Sequence, residues 1–468
     1  MENNNFGEWF NKIIESAEIL DVRYPIKGLY VWFPYGFKIR KRCTDIIREL
    51  LDETGHEETL FPLLIPEDEL GKESTHIKGF EDEVFWVTHG GSTPLNVKLA
   101  LRPTSETAIY PMFSLWIRSH KDMPIKVYQI VSTFRYETKH TRPLLRLREI
   151  TTFKEAHTAH ATMEDAEKQV EEAIEVYKRF FDRLCIPYMI TRRPDWDKFP
   201  GAIYTIAFDT IFPDGRTLQI GTVHNLGQTF SKTFDIVFET ETGDHDYAYQ
   251  TCYGMSDRVI ASIIAIHGDK DGLILPPSVA PYQVVLVPIL YKNAEEEIRK
   301  HTEKIEKTLR DSGIKYYVDW RNIRPGRKYY DWEIKGVPLR IEIGPKDAAN
   351  DVVTVVRRDT REKAVIDTIN LSNNLKNLLK AISSDLKEKA WRKMESMIKE
   401  VETIRELNET IKKGGVIKTG WCNTEECGRE IEEISDADII GIPLKESDGV
   451  CIVCRKPSKK QALIAKTY

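Results

Sequence analysis

At 468 residues with a formal net charge of −5, the chain is long enough for about three domains and carries no global positive field, so any nucleic-acid surface has to be local. Its 41% hydrophobic and 30% charged residues describe a globular protein, and no run approaches the roughly 20 apolar residues that span a bilayer. The amino terminus is polar and acidic rather than a signal sequence, and the cysteines form no disulfide framework, so a cytoplasmic protein without a membrane segment is expected.

Residues 6–21 read as a short amphipathic helix and 27–34 as a strand. From Gly36 to Thr54 apolar residues recur at helical spacing (Phe37, Ile39, Cys43, Ile46, Ile47, Leu50). Gly55 then stops the helix, and a strand is expected over 58–65, at an edge because Pro62 lies inside it. Such a pair suits a dimer interface and, equally, a helix packed on its own sheet. Thr104, Ser105 and Glu106 follow Pro103 and precede an apolar helix, so a serine or threonine is expected to cap it. A carboxylate held at that loop tip can receive an amino group.

The stretch 127–160 organises the rest. Val127–Glu137 reads as a strand whose alternation places Arg135 and Glu137 on one face. A connection dense in cations follows (Lys139, His140, Arg142, Arg146, Arg148), then a β-like run over 150–153 leading to Glu155, His157 and His160. Arginine beside glutamate under a basic loop suits a polyphosphate bearing a purine, although a solvated, salt-bridged hairpin has the same composition.

Met163–Leu184 reads as an amphipathic helix with an acidic first turn. Strands are expected over 202–208, 217–224 and 235–239, with Gly221 letting a ligand approach the backbone near Gln219, Thr222 and His224. A strand turns at Gly254 into a helix near Ser256, with Arg258 in the first turn, where a cation opposes the helix dipole unless an anion is close. Pro276, Pro277 and Pro281 mark a boundary, and 283–380 alternate strand and helix as an α/β unit. A charged helix is expected over 375–411. Beyond it, Cys422-x4-Cys427 and Cys451-x2-Cys454 are the four thiolates of a structural zinc site, redox chemistry being the weaker reading.

Together these segments resemble a class II aminoacyl-tRNA synthetase, of the prolyl-tRNA synthetase family in its archaeal/eukaryotic form. The helix and Pro62 strand resemble motif 1, FRYE (134–137) with its basic loop motif 2, and Gly254–Arg258 motif 3. LRPTSE (101–106), EAHTAH (155–160), GTVHNLGQ (221–228) and WEIKGVPLRIEIGPKD (332–347) are the prolyl-specific marks. The resemblance implies an α/β multi-domain protein. Its parts are a class II antiparallel-sheet catalytic domain with flanking helices (1–280), an α/β anticodon-binding domain (283–380) and a small zinc-containing C-terminal domain (385–468).

It further implies a homodimer that joins L-proline to tRNA(Pro) through prolyl-adenylate. Arg135 would contact the α-phosphate of ATP and the proline carboxylate. Glu137, Gln219 and Thr222 would hold the adenosine, while Arg146 and Arg258 hold the outer phosphates with Mg²⁺. Thr104 and Glu106 would receive the proline nitrogen, and Phe153, His157, His224 and Ser256 would surround the ring. Glu333, Arg340 and Lys346 match positions that read the GG of proline anticodons, a chemistry apt for arginine or lysine against guanine.

Three departures stand out. No aromatic occupies the position after Arg146 or Arg148 that would stack on adenine, Ile150 and Thr152 standing there. Only about 90 residues separate His157 and His160 from motif 3, too few for the large editing insertion of bacterial-type enzymes. Tyr468 either folds back toward the active site or forms a loose tail. A catalytically silent paralogue acting on RNA is the alternative, opposed by the presence of Arg135, Glu137 and Arg258. A threonyl, glycyl or histidyl enzyme is opposed by TSE and EAHTAH.

Overall fold

The computed structural model describes residues 6–73, 83–138, 140–291 and 293–468; Lys139 of the basic connection lies outside them. Helix Met163–Arg183 starts where Thr162 Oγ1 accepts the Asp165 amide at 3.1 Å, with Glu164 and Asp165 at its positive end. Val170, Ala173, Val176, Tyr177, Phe180 and Phe181 recur on one face and are buried against the strands Thr217–Gly227 and Tyr249–Met255. Each large side chain so buried contributes about 1.5–3 kcal/mol, which fixes the helix across the back of the sheet. A Cβ on Gly221 would stand 3.3 Å from both Phe181 and Tyr177. That glycine makes room for the helix's rings, and it also lines the cleft beside Gln219, Thr222 and His224.

The sheet beneath that helix runs antiparallel through Met189–Arg192, Tyr204–Ile211, Thr217–Gly227, Tyr249–Met255, Glu149–His160 and Ile125–Phe134. Motif 3 leaves its centre, as Tyr249–Met255 passes into helix Arg258–His267. The antiparallel class II sheet expected from the sequence is thus present. It does not stop at the expected domain boundary: Ile442 and Pro443 pair with Arg192 and Thr191, so the C-terminal strands extend the same sheet. Residues 284–367 form a separate five-stranded mixed sheet, with Val284–Pro288 parallel to both its neighbours.

Several boundaries differ from expectation. The strand at 27–34 is reduced to Val31–Trp32, paired with Leu20–Asp21. The motif 1 helix spans Pro34–Asp52, but the Pro62 strand is two short strands. Glu57–Glu58 edges the large sheet and Leu64–Pro66 edges a three-stranded one, with the proline in the break between them. The charged helix ends at Ser396, because Ile398–Glu400 is captured as a parallel strand by Val416–Gly420. A capping box on Thr403 and Glu406 then starts a new helix, Ile404–Ile411.

Candidate active site

Every residue to which the resemblance assigns ATP or proline lines one cleft of about 500 Å³ over the sheet. Arg135 and Glu137 reach it by a turn rather than by strand alternation. Strand Ile125–Phe134 ends just before them, the Arg135 amide donates to Arg148 O at 2.9 Å, and the Glu137 amide donates to Arg135 O at 2.7 Å. The basic loop folds back on itself, Arg142 and Arg146 exchanging backbone hydrogen bonds of 2.9 Å.

Arg135, Arg146 and Arg258 share one end of the cleft. Arg258 donates through Nε to Leu145 O at 3.1 Å and through Nη1 to Gln219 O at 3.4 Å, while Arg135 Nε donates to Pro103 O at 3.3 Å. Arg146 Nε stands 3.9 Å from Glu137. Burial pushes the Arg258 guanidinium down to about 10, with the charges of Arg135 and Arg146 adding to the effect, and burial also lowers Arg135. Three cations held at a desolvated site in mutual repulsion stabilise a multiply charged anion placed among them. Asp257, buried just before Arg258, turns its carboxylate away from the helix end to accept the Thr151 amide at 2.9 Å, which ties motif 3 to the strand Glu149–His160.

The residues of the other end are largely buried. Thr104 Oγ1 donates to Glu106, and burial raises the Glu106 carboxyl above its ordinary range. Ser105 occupies the N-cap position of helix Glu106–Trp116 but makes no cap bond: its hydroxyl donates to Glu155. Gln129 Nε2 also donates to Glu155, at 2.8 Å. Burial by itself would raise Glu155, yet the hydrogen bond and charge of His157, with Ser105 and Gln129, hold it below the usual carboxylate range. His157 Nδ1 lies 3.0 Å from the Tyr110 hydroxyl, and His224 Nδ1 lies 2.8 Å from Thr205 Oγ1. Burial, and then the nearby His157, push His224 down to about 3, so it stands neutral against the cleft. Phe199 closes this end, its ring centroid 4.7 Å from that of His224.

The cleft therefore has a carboxylate-bearing end and a guanidinium-bearing end, the two halves an amino acid and a nucleotide require. The tRNA synthetase class II core domain (G, H, P, S and T) family matches residues 85–267, an anticodon binding domain family matches 283–378, and the prolyl-tRNA synthetase C-terminal family matches 404–468. A proline--tRNA ligase of Methanothermobacter thermautotrophicus is 59% identical over 96% of this chain and 93% of its own. The chain belongs to the prolyl-tRNA synthetases. A Giardia lamblia prolyl-tRNA synthetase in complex with prolyl-adenylate superposes with a TM-score of 0.96 at 40% identity, covering 100% of this chain and 99% of that one. A Cryptosporidium parvum prolyl-tRNA synthetase complexed with halofuginone and AMPPNP gives 0.94 at 35%, covering 99% and 98%.

Elsewhere in the synthetase, Arg340 and Glu333 line a second, small cavity of about 120 Å³ in the five-stranded domain, with Trp332, Arg358, Arg361 and Lys363. Arg340 bonds Glu333 at 2.8 Å and Glu342 at 2.9 and 3.1 Å. Lys346, expected beside them, is not among that cavity's lining residues; it sits in the first turn of the short helix Pro345–Ala349. In the C-terminal domain the sulfurs of Cys422, Cys427, Cys451 and Cys454 lie within 4.8 Å of one another. Tetrahedral thiolates at about 2.3 Å from zinc stand about 3.8 Å apart, so the four fit such an ion after small side-chain rotations. Tyr468 is docked, its ring 5.2 Å from that of Phe212, its hydroxyl donating to Asp214 at 2.5 Å, and the Arg142 guanidinium 5.7 Å from its ring.

The sequence did not single out Trp196 or Phe199, and it placed Asp257 only at the start of the motif 3 helix. Trp196 also lines the cleft, and it packs on Trp421 of the C-terminal domain at 5.7 Å, donates to Glu432 at 3.3 Å and lies under Arg429. The aromatics of the segment DWDKFPG (195–201) were the one available signal, being unusually dense for a loop.

Proposed function

We infer that this synthetase joins L-proline to tRNA(Pro) in two steps, through prolyl-adenylate, releasing diphosphate and then AMP. The observation that carries the reading is the pairing of a buried carboxylate, Glu106, with the converging guanidiniums of Arg135, Arg146 and Arg258 in one cleft. Glu106 and Thr104 receive the charged proline nitrogen, and Phe153, His157, His224 and Ser256 enclose the ring. Arg135 holds the proline carboxylate against the α-phosphate. Glu137, Gln219 and Thr222 hold the adenosine, and Arg146 and Arg258 hold the outer phosphates, which enter with Mg²⁺.

The attacking carboxylate is already ionised near neutral pH, so the chain needs no general base for the first step. Its tasks are alignment and stabilisation of charge on the phosphates, for which fixed guanidiniums suffice. In the second step the terminal ribose hydroxyl of the tRNA attacks the prolyl carbonyl. Glu333, Arg340 and Lys346 read the anticodon, and for Glu333 and Arg340 their place in one cavity supports this. Cys422, Cys427, Cys451 and Cys454 hold a structural Zn²⁺, whose contribution is to fold the C-terminal domain.

Catalytic (1–280), anticodon-binding (283–380) and C-terminal (385–468) domains remain the working division, and the protein acts as a cytoplasmic homodimer. Free cysteines throughout the described residues suit a reducing compartment. No helix among the described residues is long and apolar enough to cross a membrane. Exposed Leu60, Leu63 and Leu64 after the edge strand, with Leu115 and Trp116, offer an apolar dimer surface.

ATP–pyrophosphate exchange with each of the twenty amino acids tests the reading. Exchange should require proline; exchange driven by threonine, glycine or histidine instead would overturn the substrate, and none with any amino acid would favour a silent paralogue. Metal analysis should find about one zinc per chain, and chelation should unfold residues 404–468.

A further inference from the structure

The carboxylate end of the cleft sets two residues assigned to proline, Glu106 and His157, beside a cysteine to which proline binding gives no role. Glu106, His157 and Cys252 come from helix Glu106–Trp116 and from two neighbouring strands, and Cys252 pairs directly with His157 across them. Each offers one ligand atom, a carboxylate oxygen, an imidazole nitrogen and a thiol sulfur, and all three atoms lie within 4.8 Å of one another. The residues are 3%, 1% and 4% exposed, so water does not compete strongly for a cation held among them.

The surroundings suit a metal as well. A metal requires the tautomer in which His157 Nδ1 donates to the Tyr110 hydroxyl 3.0 Å away, so that Nε2 exchanges its contact with Glu155 for the ion. That contact with Glu155 is long, at 3.5 Å, and Glu155 is separately held by Ser105 and Gln129. Carboxylate, imidazole and thiol together form the donor set of tetrahedral sites that keep a fourth position open. The thiol selects a thiophilic ion over Mg²⁺ or Ca²⁺. Neighbouring ligands of zinc stand about 3.4–3.7 Å apart, so atoms within 4.8 Å of one another close by at most about 1 Å.

We propose that Glu106, His157 and Cys252 form an inhibitory site for a thiophilic divalent cation, zinc above all, which binds in place of proline. The proposal rests on this end of the cleft being the proline pocket. Glu106 cannot neutralise a metal and the proline ammonium together, and the two cations repel. Binding forms a metal–sulfur bond and releases the Cys252 thiol proton to solvent. The four-thiolate cluster, with more soft ligands, fills first, and the pocket responds only to zinc in excess of that.

The test uses full-length protein retaining its C-terminal metal. Zinc bound per chain is measured by equilibrium dialysis for the unaltered chain, Cys252→Ser and Cys252→Ala. Proline-dependent exchange is then followed against zinc, each protein compared with its own zinc-free KM. The unaltered chain should bind one more zinc than either variant, as three ligands with an open position predict. Excess zinc should raise its KM for proline at least about fivefold at constant kcat, an effect about tenfold weaker in the variants.

Equal metal counts in all three proteins, or equal inhibition, would overturn the proposal; the alanine variant decides if the serine variant does not fold. An extra zinc whose inhibition proline does not relieve would leave the metal site standing and would instead remove proline from this pocket.

Discussion

In the catalytic cleft, Arg135, Arg146 and Arg258 crowd together, and Arg258 is held mainly by backbone carbonyls. In the cavity of the five-stranded domain, Arg340 is clasped by Glu333 and Glu342, while Arg358 and Arg361 are bound to Asp269 and Asp271. Both cavities are rich in arginine, yet in the first the guanidiniums crowd one another, while in the second each is matched to a carboxylate. Crowded cations in a dry cleft ask for an anion, as a triphosphate is. A balanced network has to exchange one partner for another, which suits hydrogen bonding to uncharged base edges and gives discrimination rather than bulk attraction.

Breaking the first cavity should have the largest effect. Arg258→Ala is expected to reduce proline-dependent exchange by about 10²–10³-fold, read as kcat at saturating proline, because a preorganised charge stabiliser is lost. If exchange persists within a few fold, the unbalanced cations are not the phosphate site. Arg340→Ala should leave exchange untouched and lower charging of tRNA(Pro) by about 5–150-fold, the worth of a base contact of 1–3 kcal/mol. Loss of exchange in that variant would dissolve the contrast between the two cavities.

Trp196→Ala sharpens the picture of the amino-acid end. Trp196 packs on Trp421 of the C-terminal domain and lines the cleft three residues before Phe199, so its removal should raise the KM for proline about threefold to tenfold with kcat little changed. The smallest effect concerns pH. Burial raises the Glu106 carboxyl, and only its ionised form receives the proline ammonium. The kcat/KM for proline should therefore begin to fall, as pH is lowered, at a higher pH than an ordinary carboxylate would dictate. Glu106→Gln should abolish that limb of the profile, together with much of the activity.

Much of the active site was legible because its residues lie on or just beyond strands whose hydrophobic pattern is strong. Once Glu149–His160, Thr217–Gly227 and Tyr249–Met255 pair, Phe153, His157, Gln219, Thr222 and His224 are carried to one face. What escaped was set by distant partners. The position of Trp196 depends on Trp421 and on Gly428, where a Cβ would stand 2.3 Å from the indole. Ser105 sits where a cap is expected, yet a carboxylate fifty residues away claims its hydroxyl. The helical period runs on past Ser396, but the strand Val416–Gly420 offers Ile398–Glu400 a competing set of hydrogen bonds. Local propensity cannot weigh such offers, since the competitor is remote in sequence.

The junction of Asp438–Pro443 with Met189–Arg192 also bears on how the molecule is made. During synthesis the amino-terminal sheet is ready first, and Met189–Arg192 waits as a bare border able to pair with any passing strand. Its cover is late: Asp438–Pro443 is itself secured by Gln461–Ala465, which follows the other strands of the described residues and sits between Asp438–Pro443 and Val416–Gly420. The nascent chain therefore carries this border bare from the emergence of Tyr249–Met255 until Asp438–Pro443 and Gln461–Ala465 arrive to latch it.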